Sequence, residues 1–248
     1  MTDTTTTAIT APDAAGATEA PPRSPRQDRD RDIWQFMNDL ERLVRNRREP
    51  DRAALAALRS GLGMDPGSAI AMYPLVGHHL RSGDPVTGYL TWSERTWNDT
   101  LFIVASLFGL HPVPRPTGDD QTSPAAPPAD EQARTGTRRN RSFLASLPPR
   151  TGDKDRDQAI DRRVVALLNA DRDALPTMLR QAVGLLEDGA SVDWAQLTRD
   201  LLDWDHADRP VQKRWAAAWW TAPTRNEIAN AADDAGGLSG NETLAGTD

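Results

Sequence analysis

Apolar residues in this chain recur at steps of three and four, the spacing that places side chains on one face of an α-helix. In the first half the pattern predicts helices over about 33–44 and 50–60, a short one from 65 to a break near 74, and a long one over 85–109. In the second half it predicts four more, at about 160–168, 175–186, 194–204 and 211–219. No sustained alternation of β-branched residues predicts a strand, so we expect an all-α fold.

Three stretches without this periodicity divide the chain. The Thr/Ala/Pro-rich start, residues 1–30, and the acidic end, residues 223–248, carry too few apolar side chains to offset the entropy lost on ordering, so we expect disordered tails. Residues 114–140 are rich in Pro and Ala and are expected to form a flexible linker or loop. We therefore predict two small helical bundles, over residues 31–113 and 141–222.

Composition limits the cellular compartments in which we expect this protein. The chain has no cysteine, which excludes disulfides and thiolate metal sites and favours a reducing environment. The first residues lack the basic and apolar regions of a secretion signal, and the longest apolar run, Leu101–Leu110, is half as long as a membrane span. We expect a cytoplasmic protein with no membrane association.

No motif predicts catalysis. Glycine-rich phosphate loops, nucleophile elbows and zinc-binding His-Glu helices are all missing from the sequence, so we expect no catalytic residue and no cofactor. The four histidines lack metal-ligand spacing, so we also expect no metal site. His78 and His79 are adjacent, and we expect them on different faces of a helix as surface residues. Five Trp residues at helical spacing are expected in the core: Trp194, Trp204, Trp215, Trp219 and Trp220.

Arginine is the feature that indicates a ligand. The net charge of −7 arises in the tails, while residues 31–225 balance 26 basic against 26 acidic side chains, and 27 of all 29 basic residues are Arg. The planar guanidinium suits phosphate better than the ammonium of Lys. Arg52 and Arg59 lie near one face of a predicted helix, and a comparable set follows in the second block: Arg162, Arg163, Arg172 and Arg180. Two such sets favour nucleic-acid binding, and a merely solvated surface is the alternative.

Several stretches of the sequence are recognisable. Near the end lie SVDWAQLTRDLLDWD at 191–205 and RPVQKRWAAAWW at 209–220. Further pieces fit in order: DRAALAALRSG at 51–61, TLFIVASLFGLHP at 100–112 and RRVVALLNADRDALPTMLRQAVGLL at 162–186. Together they resemble the CasB family, the small subunit of the type I-E CRISPR surveillance complex called Cascade, over about residues 31–222.

The resemblance implies an all-helical, non-catalytic protein of two bundles, present as two copies in each complex. Its partners would be the backbone filament and large subunit of Cascade, the CRISPR RNA and the target DNA. Such a subunit helps to hold the target strand and the displaced strand of the R-loop in antiviral defence. Because R-loop formation is nearly balanced energetically, contacts to the nucleic-acid backbone can tip it.

Carried over position by position, the resemblance places nucleic-acid contacts on Arg59, Arg95, Arg162, Arg163, Arg172, Arg180, Lys213 and Arg214, and the helix-face argument adds Arg52. Asn169 and Gln181 stand where the family often has a basic residue. The alternative from another class is a helical adaptor that binds only protein. Salt-dependent nucleic-acid binding distinguishes the two.

Overall fold

The computed structural model describes residues 24–45, 50–112, 142–227 and 230. Within these ranges eight α-helices have both ends described: α1 (Pro25–Arg45), α2 (Arg52–Arg59), α3 (Tyr73–Val76), α4 (Trp92–Leu110), α5 (Lys154–Leu168), α6 (Leu175–Val183), α7 (Trp194–Leu202) and α8 (Pro210–Trp220). Three short 3₁₀ turns add Ile70–Met72, Gly77–His79 and Phe143–Ser146. The described part of the chain has no strand, which confirms the all-α prediction.

Helix α1 begins at Pro25, so the predicted end of the N-terminal tail at residue 30 was wrong. The first turns of α1 are held by ion pairs to the region of α7. Arg29 Nη1 lies 3.0 Å from Asp203 Oδ1, and Arg199 Nε donates to Asp30 Oδ1 at 2.7 Å. These contacts cross most of the sequence, which is why local hydrophobicity did not reveal the helix start. Residues 1–23 lie outside the described residues.

The start of α4 corrects a second prediction, because the helix begins at Trp92 and not at about residue 85. Thr91 and Glu94 form a capping box: Thr91 Oγ1 accepts from the Glu94 N–H at 3.3 Å, and the Glu94 carboxylate accepts from the Thr91 N–H at 2.8 Å. Immediately before, the Asp84 carboxylate accepts two backbone N–H bonds, at 2.9 and 2.7 Å, and closes a turn. Side-chain capping therefore overrides the apolar spacing of residues 85–91.

The short helix predicted from residue 65 is also displaced. Gly67 has a φ of +82°, a left-handed conformation that interrupts any helix continuing from there. Helical turns occupy residues 70–79 instead, and Pro74 lies in the first turn of α3, where a missing N–H is tolerated.

The four helices predicted in the second half are confirmed as α5 to α8. Asp153 caps α5 by accepting from the Asp155 N–H at 2.9 Å, and Asp193 caps α7 by accepting from the Gln196 N–H at 2.9 Å. Beyond α8, Arg225 Nη2 donates to Glu187 Oε1 at 2.8 Å, inside the predicted acidic tail. Residues 223–227 and 230 of that predicted tail are described, and residues 225–227 are helical, which corrects the predicted start of disorder at 223. Residues 228, 229 and 231–248 and the predicted linker at 114–140 fall outside the described residues.

Helix α4 is the centre of the core. Twelve of its residues are buried, and it packs against α2, α6 and α7. A Cβ on Gly109 would lie 2.8 Å from Leu58 Cβ, so only glycine allows α2 and α4 to approach so closely. Phe108 contacts Trp194 edge-on, with ring centroids 5.9 Å apart. Helices from both halves thus share one contiguous apolar core, while the bundle boundaries at 31–113 and 141–222 stay a prediction.

Among the described helices, none is both long enough and apolar enough to cross a membrane.

Candidate nucleic-acid interface

Seven of the nine predicted basic contacts are exposed and form no ion pair with another described residue. They are Arg52, Arg59, Arg95, Arg162, Arg163, Arg180 and Lys213. The set comes from both halves of the chain, with members on α2, α4, α5, α6 and α8. Cations that no carboxylate neutralises are available to an anionic ligand.

Arg59 and Arg162 share a geometry in which Nε is hydrogen-bonded and the two Nη atoms are not. Arg59 Nε donates to the Leu55 carbonyl at 3.2 Å, and Arg162 Nε donates to the Gln158 carbonyl at 3.3 Å, each one helical turn back. The two Nη atoms of each guanidinium make no hydrogen bond with a described residue. A guanidinium anchored at Nε with a free pair of Nη donors is suited to bidentate phosphate binding.

The structure brings the first-half and second-half arginines close to each other at one place. Arg180 Nη1 lies 3.2 Å from the position that a Cβ would occupy on Gly63. Gly63 belongs to the turn directly after α2, in which the Leu62 N–H donates to the Arg59 carbonyl at 3.0 Å. The guanidinium of Arg180 therefore lies against the turn that follows Arg59. We use the name arginine surface for Arg59 and Arg180 at this turn, together with Arg162 and Arg163 on α5, the helix that packs against α6.

Arg172 has a different environment from the one predicted. Its Nε donates to Asp205 Oδ2 at 2.8 Å, its Nη1 to Thr100 Oγ1 at 3.3 Å and its Nη2 to the Leu201 carbonyl at 2.9 Å. Only 16% of the side chain is exposed. All three nitrogens are already bound, so Arg172 joins α4 to the end of α7, and a phosphate contact would require breaking these bonds.

Arg214 is also paired, although its side chain is 40% exposed: its Nη2 contacts the buried carboxylate of Asp200. The Asp200 side chain is 2% exposed and accepts from Trp215 Nε1 at 2.6 Å, from Gln196 Nε2 at 2.7 Å and from Arg214 Nη2. Burial raises the pKa of Asp200, although these hydrogen bonds and the Arg214 charge act in the opposite direction. The recognisable stretches at 191–205 and 209–220 thus meet at Asp200. The motif residues that meet there stabilise the fold and do not form a ligand-binding site.

The predicted tryptophan core is confirmed for four of its five members: Trp194, Trp204, Trp215 and Trp219 are buried. The prediction was wrong for Trp220, which is 41% exposed. Trp220 lines an open groove with Lys213 and Arg209, over an apolar floor that includes Val165 and Ala216.

Sequence reasoning missed Arg209, a second cation that lines this groove. Arg209 precedes Pro210 and has a φ of +49°, and its Nη2 donates to the Leu168 carbonyl. Pro210 was the sequence signal for the non-helical backbone of Arg209, because the right-handed helical region is disfavoured for the residue before a proline.

A cluster of His78, His79 and Asp39 corrects the histidine prediction. The two imidazoles do not lie on different faces, because both Nε2 atoms approach Asp39 Oδ2, at 3.1 and 3.2 Å, and the two rings are in contact, with centroids 3.9 Å apart and planes tilted by 41°. Asp39 lies in α1, so the contact was not visible from local spacing. The hydrogen bond from His78, with the charges of Arg42 and His79, holds the pKa of Asp39 below its usual value against the effect of burial.

Comparisons with known proteins agree with the motifs. The family model of CRISPR-associated protein Cse2 matches residues 54–220. A CRISPR-associated protein Cse2 from Thermus thermophilus is 32% identical over 176 residues, which cover 71% of this chain and 83% of that protein.

Solved structures give the same result for the fold. The crystal structure of a Cse2-family protein from Thermus thermophilus aligns with a TM-score of 0.52 and 29% identity, over 77% of this chain and 98% of that one. A chain of a CRISPR RNA-guided surveillance complex aligns with a TM-score of 0.51 and 20% identity, over 84% of this chain and 99% of that one, which shows the shared fold. The chain therefore belongs to the CRISPR-associated protein Cse2 family, and the resemblance to CasB that its motifs carried is confirmed.

Proposed function

We propose that this chain is the non-catalytic small subunit of the type I-E CRISPR complex Cascade and works in the cytoplasm in antiviral defence. Its arginine surface binds the backbone of the target strand and of the displaced strand and so stabilises the R-loop. The observation that carries the proposal is the exposure of Arg59, Arg162 and Arg180 on packed helices, without carboxylate partners among the described residues, in a chain of the Cse2 family.

Little free energy is needed to stabilise the R-loop. Guide pairing replaces DNA pairing of about equal stability, so modest contacts to the phosphate backbone decide whether the R-loop persists. Guanidinium groups on helices supply such contacts without reading bases. The proposed surface excludes Arg172, whose three nitrogens are all bound within the protein, and Arg214, whose Nη2 is paired with the buried Asp200.

The proposed partners are the backbone filament and large subunit of Cascade, a second copy of this chain, the CRISPR RNA and the target DNA. The shared fold with a chain of an RNA-guided surveillance complex supports assembly of this kind.

The test is R-loop formation on a matched duplex by Cascade reconstituted from the same organism, with and without this chain. We expect omission to weaken the R-loop, and Arg59→Ala, Arg163→Ala and Arg180→Ala each to weaken it similarly on every target sequence. Each substitution should lower the slope of log K against log salt by about 0.9, the effect of one lost phosphate contact. Arg225→Ala is the matched control, since Arg225 is exposed, is paired with Glu187 and lies outside the family match.

A second candidate function, the protein adaptor, is favoured by an exposed apolar patch. Val86 and Tyr89, in the segment before α4, and Trp92, the first residue of α4, are 89%, 76% and 68% exposed, as expected for a protein-binding surface. If omission weakens the R-loop but all three arginine variants behave like Arg225→Ala, the chain is an adaptor and the nucleic-acid assignment is refuted.

A further inference from the structure

The cluster of His78, His79 and Asp39 has the composition of a metal site. One ligand atom from each residue, an imidazole nitrogen from each histidine and a carboxylate oxygen from Asp39, lies within 4.8 Å of the other two. Imidazole nitrogen and carboxylate oxygen are the ligands that Zn²⁺ takes in open sites, together with water. The cluster lies on α1 and on the 3₁₀ turn Gly77–His79, and no residue of the arginine surface belongs to it.

We propose that His78, His79 and Asp39 bind one divalent transition-metal ion of the Zn²⁺ class. A tetrahedral zinc site with metal–ligand distances of about 2.0–2.1 Å has its ligand atoms about 3.3 Å apart. The separations from Asp39 Oδ2 to the two Nε2 atoms, 3.1 and 3.2 Å, are close to that edge length. These two separations therefore suit an ion placed between the three side chains, and water completes the fourth position.

The surroundings hold two of the ligands in place. The His79 side chain is 9% exposed and packs edge-on against Phe36, with ring centroids 5.4 Å apart, while its carbonyl accepts from Trp97 Nε1 at 2.9 Å. Asp39 Oδ1 accepts from Arg42 Nη1 at 2.8 Å, which leaves Oδ2 directed at the histidines. A hydrogen-bonded carboxylate of this kind is the outer support that metal-ligating groups usually have.

Metal binding requires a change of tautomer at the histidines. Without metal, a neutral imidazole bonded to Asp39 donates its Nε2 proton to the carboxylate. With metal, the proton resides on Nδ1 and the Nε2 lone pair binds the ion. His78 is 56% exposed, so its Nδ1 proton can be solvated by water.

The bound ion would join two parts of the chain that are about forty residues apart in sequence. It would fix α1 to the turn that follows α3, and it would stabilise the folded state by mass action because the unfolded chain does not hold the three ligands together. This proposal is independent of nucleic-acid binding.

The experiment is a titration of the untagged full-length protein with ZnCl₂ by calorimetry, followed by Co²⁺ absorption as a second readout of tetrahedral coordination. His78→Gln removes an exposed ligand and Asp39→Asn removes the anionic one. His206→Gln is the matched control, because the His206 side chain is also 56% exposed but lies outside the cluster. Thermal unfolding of each variant without metal verifies that it folds.

We expect one equivalent of Zn²⁺ on the native protein and on His206→Gln, with a raised unfolding midpoint. His78→Gln and Asp39→Asn should bind more than about tenfold more weakly and lose the Co²⁺ spectrum and the midpoint shift. Absence of a one-to-one complex with the native protein overturns the site, and so does a His78→Gln variant that binds as tightly as His206→Gln.

Discussion

Replacement of Arg172 by alanine is expected to destabilise the fold rather than to weaken a phosphate contact. The substitution removes the donor of three hydrogen bonds. The loss of stability for each bond depends on how exposed its acceptor is and on whether the acceptor keeps another donor. The bond to Asp205 is charge-assisted but its acceptor is 35% exposed, so its loss costs about 1 kcal/mol. The Leu201 carbonyl keeps the Asp203 N–H as a second donor, which limits that loss to about 1 kcal/mol.

The Thr100 bond is longer, at 3.3 Å, but the Thr100 side chain is fully buried, so its loss adds roughly 0.5–1 kcal/mol. The three contributions together predict about 2–3 kcal/mol, which corresponds to roughly 5–10 °C in the unfolding midpoint of a domain of this size. Urea denaturation of the isolated protein measures the change. Arg59→Ala is the comparison, because Arg59 makes one hydrogen bond within its own helix, and we expect it to change stability by less than about 0.5 kcal/mol.

A double-mutant cycle with Asp205→Asn isolates the ion pair, for which we expect a coupling of about 0.5–1 kcal/mol. The reasoning is refuted if Arg172→Ala leaves the stability unchanged and instead lowers the salt slope of nucleic-acid binding as Arg59→Ala does. That result would mean that the side chain leaves Leu201 and faces the ligand.

Three further predictions concern packing and pH. Gly109→Ala should destabilise the protein by about 1–3 kcal/mol in urea denaturation, because its Cβ would lie 2.8 Å from Leu58 Cβ, whereas Gly184→Ala, with no contact under 3.4 Å, should be neutral. Burial raises the pKa of Asp200 above 3.8, so the folded state binds the carboxyl proton more tightly than the unfolded state does. The native protein should therefore lose stability as pH rises above 3.8, and its stability advantage over Asp200→Asn should shrink over the same range. Burial and the neighbouring His78 lower the pKa of His79 below 6.5, so stability should fall as pH falls through 6.5, and the His79→Gln variant should lose that part of the slope in denaturation curves recorded across pH.

Helical periodicity was sufficient where a helix is amphipathic and has a clear first turn. The helices of the second half were predicted from the spacing of their apolar residues, and the caps Asp153 and Asp193, which begin α5 and α7, agree with that spacing. The start of α4 was misplaced because Val86 and Tyr89 continue the apolar spacing although they are exposed, and the competing signal was the Thr91–Glu94 capping box.

The candidate site was only partly predictable, because sequence spacing reports which residues share a helix face and not which distant partner occupies a side chain. Arg59 and Arg172 look alike in sequence, yet Arg172 is bound by residues about 30 and 70 positions away, and Arg59 only by Leu55. The same limitation concealed the Asp39 cluster, whose members are separated by about forty residues. Long-range contacts therefore decide which cations are free to bind a ligand.

The packing of both halves against α4 has a consequence for binding entropy. Because α2 and α6 both pack against α4, the backbone positions that carry Arg59 and Arg180 are fixed relative to each other. A strand that binds there meets attachment points at a preorganised spacing, so the backbone of the protein loses little conformational freedom on binding, and the arginine side chains and the nucleic acid adjust. The surface would act as a template that selects one backbone path, and it would do so equally for every base sequence.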